Sequence, residues 1–523
     1  MKYSFPLMTL ALTIFITTPV ICATVTVTPD DDWTALENAQ AGDVVEVAPG
    51  TYRFRVHLDN AGTAESPIVI RAQDPNNRPV WDLVGDEQNP VSDAPGSYTA
   101  GDRGRGCWQI GPDGAHYEIS GIVFRNCRDD SSAGFRAVNS GPVKLVNCLF
   151  ESNTNGLTGA STNLVVEHCE FRDNGKTFEG GNPTHNIYIY GGRFAMRYCY
   201  NHDSHEGQLF HVRAAESRIE YNWLARPANY VGDIMSCEYL CDGTAQHMTL
   251  MGNVIIQGTP ENASQIFALY SDEDTGMTEM NIFLYYNTII GTPREPGRTH
   301  NLLNLRNDSI DTHATLYNNI IYGMGTVAEV ADEAMSNWSV TGAANWLSTG
   351  TAVRWLTGSV EGTDPGFVDA ANLNYYLTEN AGVRNMADAS LGEVPDREYY
   401  LNEETSMGYR QRESAMDLGA FEFGTAGDVI VLDTDTGTEH PDTGTEHPGT
   451  EHTDADTGTG TDTGTEPPDT GSDDTATEAV GNSDSETENS SEAVDDTGSD
   501  SEGCGCTVVR GKGWPSLLRL LMQ

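Results

Sequence analysis

Eight short segments of this chain can be written beneath one another. Ile122-Val-Phe-Arg-Asn, Cys148-Leu-Phe-Glu-Ser-Asn, Cys169-Glu-Phe-Arg-Asp-Asn and Cys199-Tyr-Asn-His-Asp begin the column, and Asn222-Trp-Leu, Asn253-Val-Ile-Ile, Asn287-Thr-Ile-Ile-Gly and Asn319-Ile-Ile-Tyr-Gly continue it. Their leading residues stand 26, 21, 30, 23, 31, 34 and 32 positions apart. Periods of that size mark stacked supersecondary units that cannot bury their apolar face alone. Each unit alternates short β-rich runs with Asn, Gly and Asp turns, and no long helical periodicity intervenes. Leu145-Val146, Val165-Val166 and Ile219 precede the column as inward strand residues would. Such runs, each leading into the next unit through its own turns, do not pair as hairpins. A solenoid accommodates them, with each coil lying about 4.8 Å above the last.

The column has its own chemistry. Asn222, Asn253, Asn287 and Asn319 are expected to form an asparagine ladder, amide bonded to amide from coil to coil. Cys148, Cys169 and Cys199 fall in the same column and read as small buried hydrophobes.

The pattern resembles the right-handed parallel β-helix family that includes pectate lyases and their relatives. Asp32-Trp33-Thr34-Ala35-Leu36-Glu37-Asn38-Ala39 is a short amphipathic run suited to capping the first coil, which Gly42–Tyr52 and Pro67–Ala72 then resemble. Asp364–Asp369 and Asp417–Glu422 resemble the family's closing segments. The resemblance covers residues 24–424 and implies an all-β, right-handed parallel β-helix. It speaks for the fold more than for any one chemistry.

The rest of the chain divides by composition. Lys2, the apolar stretch from Phe5 to about Val20 and Ile21-Cys22-Ala23 read as an export signal over residues 1–23, cleaved after Ala23 and too short and Thr-interrupted for a membrane span. Cys22 raises a lipid anchor as the alternative, although Ile21 is bulky where such a site takes a small residue. Residues 425–503 carry 23 acidic and no basic side chains, supplying −23 of the formal charge of −48. This segment is expected to be a disordered, self-repelling spacer. Residues 504–523, opening on Cys504-Gly505-Cys506, resemble the sorting tails of myxobacterial-type surface proteins, with a shorter apolar part that Arg519 interrupts. A secreted or surface-displayed, monomeric protein follows as the expectation. So much negative charge excludes nucleic acid as a partner. Export also favours disulfides, for which Cys237 with Cys241 and Cys107 with Cys127 are the candidate pairs.

Alternation along the strands places the candidate chemistry. In Asn186-Ile187-Tyr188-Ile189-Tyr190 the isoleucines face inward, which turns Asn186, Tyr188 and Tyr190 outward. By the same rule His211, Arg213, Asp233, Asn304 and Arg306 face outward, and the titratable loop His202–Gly207 lies beside them. Cleavage of a uronate glycan by β-elimination needs a cation for the carboxylate, a base for the α-proton and an acid for the leaving oxygen. Arg213 or Arg306 suits the first, His211 or His205 the second, and Tyr188 or Tyr190 the third or a stacking role. The stretch Gly207–Ala214 resembles that of alginate- and chondroitin-type lyases, with His211 where a lysine often stands and Arg213 retained.

These readings converge on a polysaccharide-active protein, a lyase acting on an acidic glycan through His211, Arg213 and Tyr188. Asn186, Tyr190, His205, Asp233 and Arg306 are its substrate-binding set. A non-catalytic adhesin or glycan binder is the alternative, since outward Tyr, His and Arg also suit a binding face. Calcium is the cofactor the fold class suggests, with Asp272-Glu273-Asp274 and Asp308 with Asp311 as candidate ligands. A carboxylate glycosidase ranks lower, because the Asn-Thr-Asp, Asp-Asp and Gly-His-Gly set of polygalacturonase-like enzymes is missing.

Overall fold

The computed structural model describes residues 23–84, 106–128, 133–176, 183–258, 265–271, 275–291, 300–306, 310–330, 336–351, 355–400, 407–425, 429–432 and 439–441. Among them, short β-runs and left-handed turn residues wind the chain into parallel ladders. The first ladder stacks Val56–Leu58, Trp108–Ile110, Ala133–Ser140, the opening halves of Asn155–Glu167 and Ile187–Arg197, then Phe210–Val212, Gly232–Met235, Gln265–Tyr270, Asn301–Leu305 and Thr326–Val330. The second runs from Thr24–Val27 to Trp338–Ala343, and the third from Thr51–Tyr52 to Val360–Gly362. All pairings within the ladders are parallel, which gives the right-handed parallel β-helix.

Stacking of like on like builds the interior. Phe124, Phe150 and Phe171 lie in register on the third ladder, with ring centroids 5.0 and 4.6 Å apart. The expected asparagine ladder is present and one coil longer. Asn222 donates to Asn253, Asn253 to Asn287 and Asn287 to Asn319, each at 3.0 Å, and Asn319 donates to Asn345 at 2.9 Å. The cysteines continue it upstream: the Cys148 amide faces the Cys169 sulfur at 3.3 Å, and the Cys169 amide faces the Cys199 sulfur at 3.4 Å. Burial pushes the Cys148 and Cys169 thiols well up, in keeping with a packing role.

The first coil is covered by a single helical turn, Thr34–Glu37, shorter than the amphipathic run from Asp32 to Ala39. Asp32 accepts the Thr34 amide at 2.9 Å, and Leu36 is fully buried in the core.

The closing segment does something the sequence did not reveal. It folds back along the outside of the solenoid. Asp388 meets Asn318, Glu393 meets Arg218, Asp396 meets Tyr221, and Met407 and Tyr409 reach His168 and Tyr198. Outward apolar residues of the third ladder, among them Tyr200, Trp223, Val254 and Ile256, are buried against Tyr375, Tyr399 and Phe421. That face is closed.

Residues 425–503 begin with more structure than a spacer. Val429–Leu432 pairs antiparallel with Tyr409–Gln411 and with Glu439–Pro441. The apolar run Val429-Ile430-Val431-Leu432 accounts for strand formation there. The export signal to residue 22, the remainder of the acidic segment and the Cys-Gly-Cys end lie outside the described residues. Among the described residues no helix is long and apolar enough to cross a membrane.

Candidate functional site

Register places one outward column along the first ladder. It runs Gln109, Arg136, Thr158, Tyr188, His211, Asp233, Ala268, Asn304, Glu329. The centre of this column is a compact polar cluster. The His211 and Tyr188 rings meet edge to face at 4.6 Å, and His185 lies 5.2 Å from His211. His211 Nδ1 is 3.4 Å from Asp233 Oδ2, with the side chains 12% and 4% exposed. Tyr230 donates to the other Asp233 oxygen at 2.6 Å. Burial pushes the Asp233 carboxyl up, but hydrogen bonding from His211, the His211 charge and the Tyr230 hydroxyl outweigh it and hold the group below its ordinary value. Burial next to Asp233 raises the Tyr230 phenol. Desolvation, with His211 beside it, lowers His185 to about 3, so its ring is neutral and its Nδ1 accepts the Gln208 amide at 3.2 Å.

The arrangement anchors one nitrogen of His211 on a buried carboxylate. Its Nε2 is buried and makes no hydrogen bond. A carboxylate beside one imidazole nitrogen favours the tautomer that carries its proton there and leaves the other nitrogen bare.

Of the residues expected to act, the structure unites Tyr188, Tyr190, His211 and Asp233 and separates the others. Asn186 is a correction: it faces inward, fully buried, because strand alternation starts only at Ile187. It belongs to a second amide ladder, in which Asn153 donates to Asn174 at 2.9 Å, Asn174 to Asn186 at 3.1 Å and Asn186 to Asn201 at 2.8 Å. Arg213 is a second correction. It is buried, its Nε donates to the Ser236 carbonyl at 3.1 Å, and its Nη1 is 2.9 Å from Glu238. Its charge is thereby committed within the protein. His205 sits in a turn, 3.4 Å from Asp173, and both are about half exposed. Arg306 is exposed; with the Asn304 amide turned to accept, that oxygen is 3.2 and 3.1 Å from Arg306 Nε and Nη2. Its neighbour Asn304 is three steps down the column from His211.

The His202 loop is an ion-pair network. His202 contacts Asp203 at 2.6 Å and Glu170 at 3.3 Å, and Arg226 reaches Asp203 at 2.7 Å. Asp272-Glu273-Asp274 and Asp308 lie outside the described residues. Among the described residues no three His, Cys, Asp or Glu side chains converge as metal ligands. Both Asp233 oxygens already have partners, so the cluster as it stands does not fit calcium.

Cys107–Cys127 and Cys237–Cys241 are disulfides, with Cα atoms 5.8 and 5.9 Å apart. The second closes a loop that carries Tyr239, whose ring lies 5.5 Å from Tyr190. Sequence reasoning missed His185, Gln208, Tyr230, Glu238 and Tyr239. The one available signal was an aromatic residue inside a very tight cysteine spacing. A hollow of about 510 Å³ lies elsewhere, near the end of the ladder, lined by Glu329, Trp338 and Trp355. The buried, partnered carboxylate at Asp233 makes the His211 cluster the stronger chemical candidate.

No protein-family model matches the chain, and no curated protein matches it in sequence. Solved structures with a similar chain path include the pectate lyase Pel9A (14% identity, TM-score 0.48, 77% of this chain and 97% of that one). A rhamnogalacturonan lyase (16%, 0.36, 77% and 96%) and an alginate lyase from Paenibacillus sp. (12%, 0.32, 65% and 98%) are further examples. Likeness at this level carries no argument about activity.

Proposed function

We propose that the first-ladder face binds an acidic polysaccharide and cleaves it by β-elimination at the His211 cluster. The observation that carries this is the His211 imidazole held on buried Asp233, with an unpartnered Nε2 beside the Tyr188 ring. In the step proposed, substrate uncovers the buried His211 Nε2 by displacing a neighbouring ring, and this nitrogen takes the proton α to the sugar carboxylate. The electron pair left behind forms the ring double bond as the glycosidic C–O bond breaks, and the Tyr188 hydroxyl protonates the leaving oxygen. Asp233 stabilises the imidazolium formed. Arg136, two steps up the column from Tyr188, and Arg306 offer charge to carboxylates of neighbouring sugars.

The test is a screen of uronate polymers, with and without calcium, read by the ultraviolet absorbance of an unsaturated product. Wild-type protein is expected to release it, and His211→Ala or Tyr188→Phe to lose about a hundredfold or more in rate. Product released at wild-type rate by both variants would remove the assignment.

One observation favours a second reading, a glycan binder without turnover. The pairing of Arg213 with Glu238 takes one cation of the expected set out of use, while the tyrosines remain. Binding without product in the same screen would select it.

A further inference from the structure

We propose that Tyr239, on the loop closed by Cys237–Cys241, is a sugar-stacking subsite that extends the His211 cluster by one saccharide unit. This rests on the reading of the face as a glycan site and names a residue that sets its reach. The rings form a continuous line: His211 to Tyr188 at 4.6 Å, Tyr188 to Tyr190 at 5.8 Å, Tyr190 to Tyr239 at 5.5 Å. Tyr239 ends the line and is 46% exposed.

The loop is fastened at every level. Cys237 is fully buried against Ala215 and Met277, and its amide donates to Gln246 at 2.9 Å. The Tyr239 amide donates to the Tyr190 carbonyl at 3.1 Å, and the Gly192 amide donates to the Tyr239 carbonyl at 2.9 Å, which adds a short parallel bridge to the sheet edge. A β-carbon at Gly191 would lie 2.0 Å from the Tyr239 carbonyl oxygen, so only glycine admits this approach. Arg213 secures the base of the loop through Ser236 and Glu238. Arg213 thus acts as a positioning residue, holding the wall of the site.

A rigid loop that leaves its aromatic ring uncovered offers flat apolar area at little cost in side-chain entropy. The occupant that fits is the C–H face of a pyranose ring in the same chain that lies over Tyr188 and Tyr190. Its hydroxyls remain free to water and to the tyrosine edges.

The experiment compares full-length wild type, Tyr239→Ala and Tyr239→Phe, using whichever polymer the uronate screen identifies. Kd and, where there is turnover, KM and kcat are read, with thermal melting as a check on folding. Tyr239→Ala is expected to raise Kd or KM about tenfold with kcat unchanged, and Tyr239→Phe to restore wild-type values. Arg213→Met is expected to weaken binding in the same direction without changing the pH profile of kcat. Wild-type affinity in Tyr239→Ala overturns the subsite and leaves the function standing. A wild-type protein that binds no glycan overturns the function and the subsite together.

Discussion

At the scale of single residues, burial keeps one histidine of the cluster neutral. His185, 5.2 Å from the His211 ring, is desolvated and lowered to about 3. Its ordinary value is about 6.5, so between these limits the unfolded chain binds a proton that the folded chain refuses. Stability is then whole above the unfolded value and falls as pH drops, by roughly 1.4 kcal/mol per pH unit for this one group. Asp233, lowered in the fold, adds acid sensitivity of the same sign below its ordinary value. His185→Asn keeps an acceptor for the Gln208 amide and abolishes the titration. Its melting temperature is expected to fall less steeply than wild type from pH 6.5 towards 4. Parallel melting curves across that window would show that His185 is not the source. The outward set was readable from alternation only inside strands. Tyr188, Tyr190, His211 and Asp233 lie inside strands, where alternation sets their side, whereas Asn186 lies one residue before its strand and Arg213 one residue after. There the corner, and a glutamate 25 positions away, determine orientation and charge.

At the scale of elements, the amide columns hold the coils in register. Asn253 accepts from the Asn222 amide and side chain at 3.0 Å, and donates to Asn287 at 3.0 Å and to the Ile219 carbonyl at 2.7 Å. All these atoms are buried, so Asn253→Ala strands donors and acceptors on both neighbouring coils. A loss of about 2–4 kcal/mol is expected, read as a fall in denaturation midpoint. The upstream column shows that a thiol can take the same place, with Cys169 and Cys199 each facing the amide of the preceding coil. Asn222→Cys, at the junction of the two, is therefore expected to melt above Asn222→Ala. Equal melting of the two would mean that the sulfur contacts contribute nothing. This column was the most legible part of the fold, because one residue type recurred at a coil period. The second ladder, Asn153–Asn174–Asn186–Asn201, was hidden by steps of 21, 12 and 15 residues that match no period.

At the scale of the whole molecule, the closing segment decides which face is free. The third ladder presents Tyr200, Trp223, Val254, Ile256 and Ile290 outward, an apolar strip that water would penalise by roughly 1.5–3 kcal/mol per large side chain. Described residues between Phe367 and Phe421 cover it, held by a buried charge network. Arg412 donates to the Ser414 and Asp417 carbonyls at 2.9 Å, to the Gly419 carbonyl at 3.1 Å and to Glu422 at 2.9 Å, while Arg410 pairs with fully buried Glu398. Removing one member of such a network leaves its partners charged and buried, at a cost of about 3–5 kcal/mol. Arg412→Met is therefore expected to loosen the closing segment while the coils beneath, each bound to two neighbours, stay paired. Hydrogen exchange is expected to quicken at Arg397–Tyr399 and Tyr409–Gln411 and at the outward edge of Trp223–Ala225. The first-ladder strands Ile187–Arg197 and Phe210–Val212 are expected to keep wild-type protection. Uniform quickening through both sets would mean that cover and solenoid unfold as one unit, and that the closing segment is part of the core.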